Sequence, residues 1–217
     1  MFQKLSLLVS YLKMEDESIR INEISDCRQR AIICKKPNLS SSQIFKSICN
    51  TVINYPHLTK YEKKYLINDI IRIRDAQNVI ENTGERRKCE YCNNQVIAIT
   101  YCESCIRDYL KSDFSKWTAG SVKIDKLIQE CQINSVSPSD IFEWIPFENF
   151  TNLEFREEGD FSLIYVATWR NGPFTEWDTE KQELKRNGGG SFVLKNLKNS
   201  RTIDEKWLKN IRDKQAM

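Results

Sequence analysis

The chain is poor in several things that would mark a function at once. It has one histidine in 217 residues, His57, beside Pro56 in an expected loop. That residue reads as solvated or structural, which leaves imidazole out of the metal-ligand set. No long apolar run exists near the N-terminus. The longest stretch, residues 5–12, is broken by Ser6 and Ser10, whereas a bilayer span takes roughly 20 apolar residues. No small-residue cleavage site follows it, so a signal peptide is not expected. Charge of one sign is also lacking. Lys and Arg total 33, Asp and Glu 30, and the net charge of +3 does not by itself argue for nucleic acid or an anionic membrane. What remains is an ordinary soluble composition, 40% hydrophobic and 29% charged, of a length that suits one or two domains. The expected compartment is the cytoplasm, with the nucleus also open. There thiols stay reduced, and clustered cysteines hold metal more often than they form disulfides.

Residues 1–88 read mostly as helix. Ser40 and Gln43 fit a capping box. Behind them Ile44, Ile48 and Val52 recur every four residues, with Phe45 and Cys49 beside them, one apolar helical face. Thr59 and Glu62 repeat the capping pattern. Leu66, Ile70 and Ile73 then line a second helix, which should end before Gly84. The two helices are expected as an antiparallel pair joined through Tyr55-Pro56-His57. Residues 14–39 show no clear period, and Lys36-Pro37-Asn38 reads as a turn. Nothing in this region suggests chemistry; it reads as a helical packing or interaction module.

Cys89-x2-Cys92-x9-Cys102-x2-Cys105 is the strongest chemical signal. Each CxxC pair can present two thiolates to one ion, and four thiolates close a tetrahedral, structural zinc site. A closed site has no open position, so zinc catalysis is not suggested. The intervening Asn93-Asn94-Gln95 and Val96-Ile97-Ala98-Ile99 fit a turn and a short strand, a zinc-ribbon-like shape. Disulfides, a redox pair or unrelated thiols are the competing readings. Cys49 and Cys131 lie on apolar helical faces and read as core thiols. So small a segment should fold only with its metal.

Beyond the quartet, residues 106–117 suggest a short amphipathic helix. Ile124, Leu127, Ile128 and Cys131 mark a clearer one, with Ser121 placed to cap it. After Trp144-Ile145-Pro146-Phe147 the pattern turns to strands. Glu157-x-Gly159-x-x-Ser162-x-Ile164 matches the register of a phosphate-binding hairpin, G-x-G-x-x-G-x-V, with one glycine left of three. Glu157 puts a carboxylate where a polyanion should approach. Phe161 fits the aromatic at the loop tip. Phe192-Val193-Leu194-Lys195 fits the following strand, whose lysine would contact phosphates. The insertion between them, residues 171–190, carries Trp177 and a Gly188-Gly189-Gly190 hinge.

In order along the chain, these phrases resemble an expanded set of kinase-domain proteins found in some fungi. Those proteins have a helical region, a Cys-rich knuckle and a kinase domain. The resemblance rests on Tyr101-Cys102-Glu103-Ser104-Cys105, Phe114-Ser115-Lys116-Trp117-Thr118, Ile124-Asp125-Lys126-Leu127-Ile128-Gln129 and Glu143-Trp144-Ile145-Pro146-Phe147. Trp177-Asp178 and Val193-Leu194-Lys195 continue it. It covers about residues 57–209.

The resemblance implies ATP binding, with Gly159, Ser162, Ile164 and Lys195 facing the nucleotide, and protein phosphorylation. Glu205 would be the partner of Lys195. The catalytic loop and the metal-holding Asp and Asn belong to the larger kinase lobe, yet only 22 residues follow Lys195. The expectation is therefore a truncated kinase-like protein with no catalytic residues of its own, inactive alone and binding ATP weakly if at all. The alternative is a zinc-binding interaction module whose partner is another protein, an intact kinase relative among the candidates. A further alternative is a nucleic-acid-binding zinc ribbon using Arg86, Arg87 and Lys88. The expected fold is α+β: a helical region over 1–88, a zinc knuckle with helices over 89–145, and an incomplete antiparallel kinase-like sheet over 146–217.

Overall fold

The computed structural model describes residues 7–10, 20–33, 39–160 and 162–198. The expectations for Lys36-Pro37-Asn38, Phe161 and Glu205 lie outside these residues. Contacts divide the chain into two compact units. One is Glu15–Gln77; the other joins Met1–Met14 to Asn78–Met217. The chain is α+β, as the pattern predicts.

The first strand, β1 (Leu7–Ser10), belongs to the second unit. The first unit is helical. Helix α1 (Ile21–Ile33) arises where no period is evident in the sequence. Its buried stripe is Ile24, Cys27 and Ala31, a spacing of three and four carried partly by small residues, which dilutes the apolar signal. It packs against α2 (Ser41–Asn54). The Ser40–Gln43 capping box forms as read, with both reciprocal bonds present. Helix α3 (Lys60–Glu81) follows. Val52 and Leu66 are completely buried, with Ile48 and Ile70 packed at their margin. Ile73, expected on the apolar face, is 53% exposed instead, because that face turns away from the core beyond Ile70.

The cap of α3 does more than satisfy a helix end. Glu62 accepts from the Thr59 N–H at 2.8 Å and its own N–H reaches the Thr59 hydroxyl at 3.2 Å. The same carboxylate takes Arg20 Nη2 at 2.7 Å, Arg20 Nε at 3.0 Å and the Arg20 backbone N–H at 3.2 Å. With four donors around a fully buried carboxylate, Arg20 foremost, its pKa is held down to about 2.

In the second unit, β2 (Arg87–Lys88) and β3 (Gln95–Val96) form a short hairpin. Helix α4 (Glu103–Ser112) starts earlier than the apolar spacing suggests. Helix α5 (Val122–Ile133) follows; Ser121 occupies its N-cap position, but its hydroxyl makes no capping bond. Then come β4 (Phe150–Glu158) and β5 (Ser162–Trp169). The insertion folds as its own hairpin, β6 (Phe174–Asp178) and β7 (Glu183–Arg186), before β8 (Gly190–Leu197). The main sheet is antiparallel, in the order β1-β8-β5-β4. Period-two alternation puts Tyr165, Ala167 and Trp169 on one face, opposite Leu194, Phe192 and Gly190. Trp169 and Phe192 meet edge to face at 5.3 Å and, with Phe150, close that core.

A boundary near residue 145 does not separate compact bodies. Trp177 and Leu184 of the β6–β7 hairpin lie in the same core as the clustered cysteines, Val96, Tyr101 and Ile106. The hairpin leaves and rejoins the sheet at a tight neck. Gly172 has φ 62°, and a Cβ there would lie 1.8 Å from the Gly188 carbonyl oxygen, so only glycine closes it. Asp178 sets the far turn by accepting the N–H groups of Lys181 and Glu180 at 3.0 Å each. Those bonds and the Lys185 ammonium at 2.9 Å hold its carboxyl down to about 2.

Candidate metal centre

The turn between β2 and β3 carries the first cysteine pair. The Cys89 N–H donates to Asn94 O and the Asn93 N–H to Cys89 O, both at 2.9 Å. Asn93 takes φ 61° to complete the turn, a conformation asparagine tolerates better than most residues. The second pair sits on the first turn of α4. Cys102 is the N-cap, and its sulfur accepts the Cys105 N–H at 3.4 Å. One pair therefore occupies a hairpin turn and the other a helix start, where amide donors face the sulfurs.

The four sulfurs lie within 4.8 Å of one another. Cys89 and Cys105 are 3.8 Å apart, Cys92 and Cys102 3.6 Å. Zinc–thiolate bonds of about 2.3 Å in a tetrahedron require sulfur–sulfur edges of about 3.8 Å, so the donor set and its size both fit a zinc ion. At Cys89, burial opposes ionisation, yet the Cys92 and Tyr91 N–H groups and neighbouring sulfurs pull the thiol down to about 7. Burial pushes Cys102 up to about 11 and Cys105 higher still. Four thiolates this close are mutually repulsive without a cation; a bound dication reverses that balance.

Two residues beside the cysteines have no place in the metal site as read from the sequence. Arg87 Nε donates to Ala98 O at 2.7 Å, and Arg87 Nη2 donates to Tyr101 O. Glu103, buried at 7% exposure, accepts the Ile97 N–H at 2.8 Å. Arg87 stands in the basic run considered for nucleic acid, and Glu103 in a phrase that carries the resemblance; only the fold gives them these contacts beside the cysteines. Arg86 bonds Asn82 Oδ1 at 2.6 Å, so two members of the basic run have local protein acceptors.

The other predicted site residues form a row. Antiparallel register sets Glu157 of β4 opposite Ile164 of β5, and Ile164 opposite Lys195 of β8. The hairpin turn before it closes through the Gly159 N–H on Ser162 O at 2.8 Å, and Ser162 is buried. Lys195 is exposed and makes no ion pair among the described residues. His57 gives its carbonyl to Arg20 at 2.7 Å and its ring edge to Tyr55. Cys131, read as a core thiol, is buried, whereas Cys49 is only half-buried; burial pushes the Cys27 and Cys49 thiols up.

These features define a mixed α+β protein with a four-cysteine cluster able to hold a metal ion. Comparisons with family models, curated proteins and solved structures return no match. Among the described residues, no helix is long and apolar enough to cross a membrane.

Proposed function

We propose that this chain is a zinc-stapled protein-interaction module joined to a kinase-like sheet. Cys89, Cys92, Cys102 and Cys105 hold one structural Zn²⁺ in a reducing compartment, the cytoplasm or nucleus. The carrying observation is the convergence of four sulfurs from a hairpin turn and a helix start, at separations that suit tetrahedral zinc. A closed thiolate site supplies folding energy rather than chemistry. Its role is to fix the core on which the β6–β7 hairpin rests. The partner is another polypeptide, with an intact kinase relative among the candidates. Metal analysis of protein purified without added metal tests this: one zinc per chain is expected. No metal, with stability unchanged by a chelator, overturns it.

A second reading concerns the sheet, and the Glu157–Ile164–Lys195 row favours it. A hairpin followed by a strand that brings a lysine beside it is the arrangement a kinase phosphate site uses. Nucleotide recognition by this sheet is weak, because Glu157 places negative charge in the same row and Lys195 has no acidic partner among the described residues. ATP photolabelling abolished by Lys195→Met supports the kinase-like reading; labelling indifferent to that change removes it. Transfer of phosphate to a protein substrate by the purified chain would overturn the assignment as a binding module.

A further inference from the structure

Metal affinity in a site of this kind depends on how well the ligands are arranged before the ion arrives. Here the two cysteine pairs are separated by nine residues, 93–101. The second half of that connection, from Ile97 to Tyr101, holds no strand or helix. An unrestrained connection would let the helix-borne sulfurs drift from those on the turn, and metal binding would then have to pay for their ordering.

Two side chains of opposite charge cross this connection from its two ends. Arg87 precedes Cys89 by two residues and faces Val96 across the hairpin. Its guanidinium spans the connection, donating to the carbonyls of Ala98 and Tyr101. Tyr101 is bonded directly to Cys102, so that contact fixes the approach of the third ligand. Tyr101 is itself anchored: it is 1% exposed and its hydroxyl donates to Val136 O at 2.6 Å. From the other end, Glu103 lies between Cys102 and Cys105 and accepts the Ile97 N–H. Its second carboxylate oxygen is buried without a hydrogen-bond partner. A buried polar oxygen without a partner costs stability, and the bond the carboxyl does make is to the first residue of the 97–101 connection.

We infer that Arg87 and Glu103 are positioning residues of the metal centre, holding the 97–101 connection so that the two cysteine pairs face each other before zinc binds. Neither touches the metal. This rests on the zinc reading above. A planar two-armed donor is needed at Arg87, because lysine offers a point charge and cannot span two carbonyls in the same way. At Glu103 an acceptor is needed, and glutamine keeps one.

The test is zinc affinity, measured by competition with a chromophoric chelator on the full chain. The variants are Arg87→Ala, Arg87→Lys, Glu103→Ala and Glu103→Gln, with Arg86→Ala as a charge control. Outer residues that orient metal ligands typically change affinity about 10–100-fold. That loss is expected for Arg87→Ala and Glu103→Ala, a partial loss for Arg87→Lys, and near-parental affinity for Glu103→Gln and Arg86→Ala. At saturating Co²⁺, every variant should show the parental four-thiolate absorption, which separates positioning from loss of a ligand or of the fold. Affinities within threefold of the parent for both alanine variants overturn the inference while leaving the zinc reading intact. A parent chain that takes up no metal overturns both.

Discussion

Arg186 donates to the Glu143 carboxylate at 2.6 Å while its guanidinium lies over the Phe174 ring, 3.6 Å from the centroid. The Glu143 side chain is only 6% exposed, and burial raises its pKa despite the opposing pull of Arg186 and of the Phe174 N–H. A second arginine arm bonds Gly172 O at 2.7 Å, so one side chain ties β7 both to the neck of its hairpin and to the segment before the sheet. Arg186→Ala leaves the carboxylate buried and unpaired. The expected cost is about 3 kcal/mol, read as a lower midpoint in urea unfolding with unchanged slope. Arg186→Lys should recover only part of it, since lysine cannot serve both acceptors.

Metal removal should be visible from the hairpin. Trp177 packs edge to face on Tyr109 at 5.8 Å, inside the core that contains the cysteines. A strong chelator should therefore redden Trp177 emission and lower the unfolding temperature, and Zn²⁺ should restore both. Because four other tryptophans contribute, the difference between the parent and Trp177→Phe isolates the signal. Cys102→Ser should mimic the chelator. An emission unchanged by metal removal would show that the cysteine core keeps its packing without the ion.

Acid should attack the helical unit at Glu62. Its ordinary pKa is 4.5 and its folded value about 2. A carboxylate whose pKa is lowered by folding stabilises the folded state above its unfolded pKa, and that contribution disappears as pH falls through the folded value. The contribution is thus complete above pH 4.5 and lost progressively towards pH 2. Unfolding midpoints followed by the helical far-UV signal should drop across that window. Glu62→Gln should flatten the drop while lowering stability at neutral pH.

The neck of the inserted hairpin should reject any side chain. Gly172→Ala must relieve both a positive φ and a 1.8 Å overlap with Gly188 O. A cost of more than about 1 kcal/mol is expected, measured by thermal unfolding at saturating zinc. Gly120 offers the control: its φ is 78°, but a Cβ there meets nothing within 4 Å, so alanine should be milder.

In the helical core, Leu66 is completely buried against Val52 and its neighbours. Leu66→Ala should cost about 2–5 kcal/mol. Ile73→Ala, on the exposed side of the same helix, should cost under about 0.5 kcal/mol. The contrast checks where the apolar face of α3 ends.

Local chemistry wrote much of this protein directly into the chain. The Ser40–Gln43 and Thr59–Glu62 boxes act within four residues, so sequence alone set both helix starts. The CxxC spacing fixed which sulfurs could meet one ion, since two-residue gaps force each pair onto one turn. The turn to a strand pattern after Phe147, with Phe192-Val193-Leu194-Lys195 as one strand, was legible too; which residues share a face came from the register. Contacts between distant residues decided the rest. Arg20 finds Glu62 from 42 positions away, and Arg186 finds Glu143 across 43. Helix α1 owes its place to packing on α2, because a stripe of Ile24, Cys27 and Ala31 is too weak an apolar signal to stand out. Trp177 joins the cysteine core because Gly172 and Gly188 let the chain double back, which no periodicity records. Arg87 is one of three consecutive basic residues in sequence, and only folding sets two carbonyls within reach of its guanidinium. Spacing along the chain named the ligands; burial and long-range hydrogen bonds chose the residues that hold them in place.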